Sequence, residues 1–255
     1  MAAFNRRDLR QIKPRTLFLF LLVSGGVVLL TYLGTSADTT LAFRGSVPAA
    51  PWMDSRERAL VERYLSKDKE MLEYGSGGST RTYAPQVRRY LAVESDPVWC
   101  AAMAVDLVGS SADLDLEIVC QGPEVAALPC VSFASRAKEA LGFGRCYSRY
   151  RHFVRYIQAP LHHDLDRRYD IVLVDGRARP QAAVDALFLL RGADSVVIMH
   201  DWNARKRYHE VLRFYNIVGQ QKESGQGGGG GLVVLTPKPQ WWEQYQDWTP
   251  PEWWF

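Results

Sequence analysis

Met71-Leu-Glu-Tyr-Gly-Ser-Gly-Gly-Ser-Thr80 decides how this chain folds. An apolar start, one acid and then three glycines within four positions describe a buried strand running into a tight turn and the first turn of a helix. Glycine permits positive φ and removes the Cβ that would hold a ligand off, and the N–H groups that open a helix favour an anionic group. The loop is therefore a candidate for close backbone approach to a ligand.

Outward from that loop, Arg89-Tyr-Leu-Ala-Val-Glu-Ser-Asp96 reads as a second strand ending in a carboxylate, and Glu94 follows Gly75 by 19 positions. In nucleotide-binding α/β folds this spacing puts an acid at the tip of the neighbouring strand, within reach of ribose hydroxyls. A dinucleotide fingerprint would need glycine where Thr80 stands, and a plain glycine turn would leave Glu94 unexplained. The two strand ends together resemble those of the class I S-adenosylmethionine-dependent methyltransferases. That resemblance implies a loop lying against the methionine and ribose portions of S-adenosylmethionine, with the acid holding the ribose. It carries cofactor binding to Glu73, Gly75, Gly77, Gly78, Ser79, Thr80 and Glu94.

The remaining elements alternate as such a fold requires. Asp54 caps a helix running to about Lys67, Pro97 opens one reaching about Leu107, and Leu116 to Cys120 is a third strand. Tyr169 to Asp175 has the unbroken apolar run of a central parallel strand. A helix over Gln181 to Leu190, a strand over Ser195 to Met199 and a helix over Ala204 to Tyr215 follow. Strands at Asn216 to Gln220 and Leu232 to Thr236 close the domain as an antiparallel pair. The predicted fold is α/β, a Rossmann-like doubly wound sheet of the seven-stranded methyltransferase type. Residues 121 to 168 carry the weakest pattern. They offer a helix at Ser135 to Leu141, then Arg145, Arg149, Arg151 and Arg155 interleaved with Tyr147, Tyr150, Phe153 and Tyr156. That run reads either as an acidic-sugar surface or as a face of snorkelling arginines. His152, His162 and His163 read as solvent-facing.

Ligands in an open parallel sheet sit beyond the carboxyl ends of the strands, where Glu94, Asp175 and His200-Asp201 all fall. A hydroxyl acceptor must lose its proton, so His200, Asp201 and Asp175 are the catalytic candidates, with His200 as base or a carboxylate acting instead. Asp175 and Asp201 also resemble the metal pair of cation-dependent O-methyltransferases, which implies a divalent metal as the alternative. Arg177, Arg179 and Trp202 flank these ends as candidate acceptor-binding residues. Val-Asp-Gly-Arg-Ala-Arg (174 to 179) followed by Ile-Met-His-Asp-Trp-Asn-Ala-Arg (198 to 205) is distantly similar to the glucuronoxylan 4-O-methyltransferases, which implies a sugar or polysaccharide acceptor. Gly176-Arg177 departs from that family's pattern, which leaves a small-molecule O-methyltransferase, or a binding module of this fold without turnover, as the alternatives.

The ends of the chain set its address. Leu17 to Leu33 is uncharged and, with Thr16 and Gly34, reaches the length of a membrane-spanning helix. Residues 1 to 15 hold five basic residues against Asp8 alone, so they carry +4 of a chain total of +3 and leave the remainder at −1. Nothing in that remainder argues for nucleic acid. The basic flank predicts a cytosolic tail (1–15), a transmembrane signal anchor (16–34), a stem (35–52), a lumenal methyltransferase-like domain (53–238) and a Trp-rich tail (239–255). A signal peptide cleaved near Thr35-Ser36-Ala37 is the rival, and either sends the domain into the secretory pathway. The layout is that of a single-pass type II Golgi enzyme. There Cys100, Cys120, Cys130 and Cys146 would form disulfides, in any of three pairings. The tail's tryptophans offer sugar-stacking faces or dock on the domain, and docking is the favoured reading.

Overall fold

A computed structural model describes residues 3–4, 47–110, 114–123, 152–203, 205–222 and 230–251. Eight strands form one sheet: β1 (Ala3–Phe4), β2 (Glu70–Tyr74), β3 (Arg89–Glu94), β4 (Leu116–Cys120), β5 (Ile171–Val174), β6 (Val196–His200), β7 (Tyr215–Gln221) and β8 (Leu232–Pro237). Their order is β1-β4-β3-β2-β5-β6-β8-β7. Strands β2 to β6 run parallel, β8 is antiparallel to β6 and to β7, and the two-residue β1 pairs antiparallel with β4 at the far edge. The order reverses at β2, which lies between β3 and β5, and the carboxyl ends of β2 and β5 flank the switch point.

The apolar runs form strands because both faces of the sheet are covered. Successive side chains point to opposite faces. Leu72, Tyr74, Val172, Val174, Val197 and Met199 therefore join one core, and Met71, Ile171, Leu173, Val196 and Ile198 the other. The second core is roofed by α1 (Ser55–Glu62), α2 (Gly78–Tyr83) and α3 (Pro97–Ser110). The first is roofed by α4 (Val154–His163), α5 (Arg179–Asp185) and α6 (Trp241–Gln246).

Several sequence expectations shift. Packing begins before residue 53: Val47, Pro51 and Met53 are buried, so the end of the expected stem belongs to the domain. Helix α1 stops at Glu62, closed by a bond from Tyr64 N–H to the Val61 carbonyl. The helix expected over Ala204 to Tyr215 is a 3-10 stretch, Lys206–Arg213. Helix α4 was not anticipated, because its interior Pro160 breaks the usual helix signature. Its Tyr156, and Phe153 just before it, are fully buried and packed edge to face, so they offer no sugar-stacking surface. His152 is buried rather than solvent-facing, and His163 pairs with Glu117.

The described part of the Trp-rich tail docks as favoured, while Trp253 and Trp254 lie outside the described residues. Trp241 and Tyr245 of α6 pack on Phe188 at 5.4 and 5.0 Å, and Trp248 packs on Phe214 at 5.2 Å. A disulfide joins Cys100 on α3 to Cys120 at the end of β4. Cys130, Cys146, the Ser135 to Leu141 helix and Arg145 to Arg151 lie outside the described residues. No helix among the described residues is long and apolar enough to cross a membrane, and residues 16–34 lie outside them too.

Candidate functional site

The glycine loop follows β2 at the switch point. Gly75 has φ +106°, and a Cβ there would press on the Gly176 backbone at 3.1 Å. Gly176 in turn has no room for a Cβ against the Tyr156 hydroxyl and the Gly75 nitrogen. These two glycines let the ends of β2 and β5 touch. A Cβ on Gly78 would collide with the Ala50 carbonyl, so the 47–53 segment lies directly on the first turn of α2.

Glu73 supports the loop from beneath. It is 1% exposed and accepts hydrogen bonds from the hydroxyls of Ser79, Thr80 (2.5 Å) and Tyr90 (2.8 Å). Thr80 Oγ1 also accepts from Gly77 N–H at 3.0 Å, closing the helix start. Burial pushes the Glu73 carboxyl up to about 7, against the pull of the three hydroxyls. Glu73, Ser79 and Thr80 therefore shape the loop from beneath, by hydrogen bonds to one another and to Tyr90 and Gly77.

Glu94 ends β3 where it was expected, yet its carboxylate is engaged. One oxygen accepts from Ser76 N–H and Ser76 Oγ, both at 3.0 Å. The other accepts from the N–H groups of Ser95 (2.7 Å) and Asp96 (2.8 Å). Burial raises the Glu94 pKa, with these donors opposing it. The Ser76 carbonyl accepts the Trp99 indole N–H at 2.8 Å, and that ring lies beside Gly77. Ser76 and Trp99 are functional candidates that sequence reading passed over. Ser76 stood in the quoted loop, but only its partner Glu94 suggests a role for it.

At the ends of β5 and β6, Asp175, His200 and Asp201 come together as expected. His200 is 5% exposed; its Nδ1 lies 3.0 Å from Asp175 Oδ1, and its Nε2 lies 3.7 Å from Glu57 Oε1. Burial pushes the imidazole pKa down, but the hydrogen bond and charge of Asp175 outweigh it and leave the value raised. Both ring nitrogens thus face carboxylates. Glu57 sits on α1, fully buried, with its other oxygen accepting from Asp54 N–H at 2.8 Å. Its sequence signal is the capping-box spacing Asp54-x-x-Glu57, which marks a helix start and nothing more.

Arg179 ties the site together. Its Nη2 lies 3.0 Å from Asp175 Oδ1 and its Nη1 3.0 Å from Asp201 Oδ2. Nη1 also donates to the His200 carbonyl (2.8 Å) and Nε to the Gly176 carbonyl (3.1 Å). The guanidinium thus spans the two carboxylates expected to share a divalent metal, so these residues do not fit a metal there. Among the described residues no group of three or more His, Cys, Asp or Glu side chains is placed to hold one. Of the acceptor-binding candidates, Arg177 is exposed beside the crevice, while Arg179 is committed to the protein. Trp202 is 2% exposed and stacks on His209 at 4.4 Å, so it is a core residue.

No family model matches the sequence, and no curated protein matches it significantly. Solved structures do. A methyltransferase-like protein from Silicibacter pomeroyi shares 22% identity over 80% of this chain and 100% of its own, with a TM-score of 0.53. An O-methyltransferase from Bacillus cereus, in complex with SAH, shares 16% identity over 86% of this chain and 94% of its own, with a TM-score of 0.47. The N-methyltransferase NodS from Bradyrhizobium japonicum, also in complex with S-adenosylhomocysteine, shares 12% over 80% and 97%, with a TM-score of 0.44. Together with the strand order, the first of these shows that the chain has a Rossmann-like methyltransferase fold.

Proposed function

We propose that this chain is an S-adenosylmethionine-dependent methyltransferase that methylates a hydroxyl of a sugar or polysaccharide, anchored by residues 16–34 with its domain in the lumen of the secretory pathway, in the Golgi. The observation that carries the cofactor is the pairing of Glu94 with Ser76 at the switch point, a buried carboxylate joined to a backbone-lined glycine loop. The lumenal address is supported by the Cys100–Cys120 disulfide, which belongs to an oxidising compartment. The hydroxyl acceptor is supported by carboxylates at the ends of β5 and β6. The sugar rests on the likeness in residues 174 to 205.

S-adenosylmethionine supplies an electrophilic methyl group when bound, and much of the catalysis is alignment of the acceptor with it. The Gly75 to Gly78 backbone and Glu94 would hold the cofactor, by the methionine and ribose respectively. Asp175 adjoins the loop through its N–H bond to the Tyr74 carbonyl, and its side chain is 24% exposed. It is the better placed proton acceptor, whereas His200 lies behind it. Arg177 is exposed at the rim and available to a polar acceptor.

A second reading, a methyltransferase-fold binding module without turnover, is favoured by one observation: both nitrogens of His200 face carboxylates, so the imidazole is not free to act as the base. Calorimetric titration of the full chain in detergent with S-adenosylmethionine, S-adenosylhomocysteine and NAD tests the cofactor. Micromolar binding of the first two alone is expected. Silence toward both from a folded chain, or binding of NAD, would defeat both readings, whereas binding without methyl transfer to any offered saccharide leaves only the second.

A further inference from the structure

We infer that Arg179 is the resident cation of the carboxylate pair at the ends of β5 and β6, holding the place a divalent metal would take, and that the site becomes a divalent-cation site only when the guanidinium is removed. Two hydrogen-bonding atoms face two acids at 3.0 Å each, and the same side chain donates to the carbonyls of His200 and Gly176. A guanidinium offers five N–H donors in a rigid fork. These four contacts leave it little to offer a substrate, and its side chain is only 13% exposed.

The backbone is shaped around this side chain. Ala178 and Asp201 are the two non-glycine residues with positive φ among the described residues, at 48° and 60°. One immediately precedes Arg179 and the other supplies one of its carboxylate partners. Left-handed conformation outside glycine is strained and persists only where the surroundings impose it. Here it turns the Asp201 carboxylate and the start of α5 toward one point, the guanidinium.

Removing the guanidinium would leave two carboxylates and two backbone carbonyls that it had joined, all of them oxygen donors, with Arg205 Nε 3.7 Å from Asp201 Oδ2 and His200 Nδ1 3.0 Å from Asp175 Oδ1 as the nitrogen groups still against the pair. That donor set suits a hard divalent ion such as Mn²⁺ or Mg²⁺. In the intact protein the fixed positive charge repels such an ion and occupies its position. The inference stands on these contacts whether or not the domain transfers methyl groups.

The test is Mn²⁺ titration of the full chain without cofactor, read by the loss of the free-ion electron paramagnetic resonance signal. Wild type should show no binding that depends on Asp175. Arg179→Ala should bind Mn²⁺ at least ten-fold more tightly than wild type, and the Arg179→Ala, Asp175→Asn double variant should lose that gain. Arg179→Gln, which keeps donors for the two carbonyls, serves in the same way if the alanine variant does not fold. Wild-type binding abolished by Asp175→Asn would overturn the inference, as would a folded Arg179 variant with no gain in Mn²⁺ affinity.

Discussion

Glu57 Oε1 and His200 Nε2 face each other 3.7 Å apart, both buried, and neither atom has a hydrogen-bond partner. Removing one member of a buried charged pair leaves the other uncompensated, which costs about 3–5 kcal/mol in the strong cases. His200→Ala should therefore destabilise the domain by on the order of 3 kcal/mol, and Glu57→Gln with it should cost less than the two separate losses added. Denaturant melts of the two single variants and the double variant measure the coupling, and additive losses would show that the pair does not interact. A base role for His200 would appear differently, as a folded and stable variant about 100-fold slower in turnover.

Glu94 has both oxygens occupied, one of them by Ser76, so a ribose must displace the Ser76 hydroxyl to be held. Glu94→Ala should weaken S-adenosylmethionine binding by about 1.5–3 kcal/mol through lost charge-assisted hydrogen bonds. Ser76→Ala removes the competitor and should tighten binding a few-fold. Calorimetry on the two variants checks both directions; a Ser76→Ala chain that binds ten-fold more weakly would mean that the hydroxyl contacts the cofactor instead.

The three glycines of the loop are not equivalent. A Cβ on Gly78 meets backbone of Ala50, whereas one on Gly77 meets only the Trp99 ring edge at 3.8 Å. Gly78→Ala should cost at least about 1–3 kcal/mol as overpacking and loosen the 47–53 segment. Gly77→Ala should leave the fold intact. Limited proteolysis, with new cleavage near Ala50 in the first variant and none in the second, reads the difference.

Asp185 lies near Tyr215, Tyr74 and Tyr245, and burial pushes its carboxyl up to about 7. The folded value lies above the ordinary one, so the native state holds the proton more tightly than the unfolded chain. Stability from this group is fully present below about pH 4 and falls away as pH rises through about 7. Glu73, shifted in the same direction, adds to the slope. Asp185→Asn should therefore raise the melting temperature at pH 8 and flatten its decline between pH 5 and 8. An unchanged slope would place the pH sensitivity elsewhere.

Topology can be read directly. A glycosylation reporter after Phe255 should be modified in the secretory lumen if residues 16–34 span the membrane. That span would put Ala3–Phe4 across the bilayer from the sheet edge at Ile118 and Val119 with which they pair, so the two arrangements exclude each other. An unglycosylated, cytosolic reporter would decide for the pairing and against the anchor. Non-reducing peptide mapping of the full chain should recover Cys100 joined to Cys120.

The sequence alone determined the parallel strands of the sheet and which residues stand at their carboxyl ends. Strands covered on both faces read as apolar runs, so Tyr90 to Val93 and Ile171 to Val174 declare themselves, as does Met71 to Tyr74 apart from Glu73. The close turn at Gly75 needs glycine, and an acid just beyond a buried strand, as at Glu94 and Asp175, sits at its carboxyl end by geometry alone. Tertiary structure decided what those residues face. Glu57 reads as a helix cap until α1 is laid beside β6, and Arg179 reads as a substrate contact until the ends of β5 and β6 converge on it. Trp202 and His200, polar-tipped residues at a strand end, look available until β8, the 3-10 stretch and α1 close around them. Such contacts join side chains distant in sequence, and local pattern carries no record of which neighbour the fold will bring, because hydrophobic period fixes a residue's face while strand order and helix placement fix its partner.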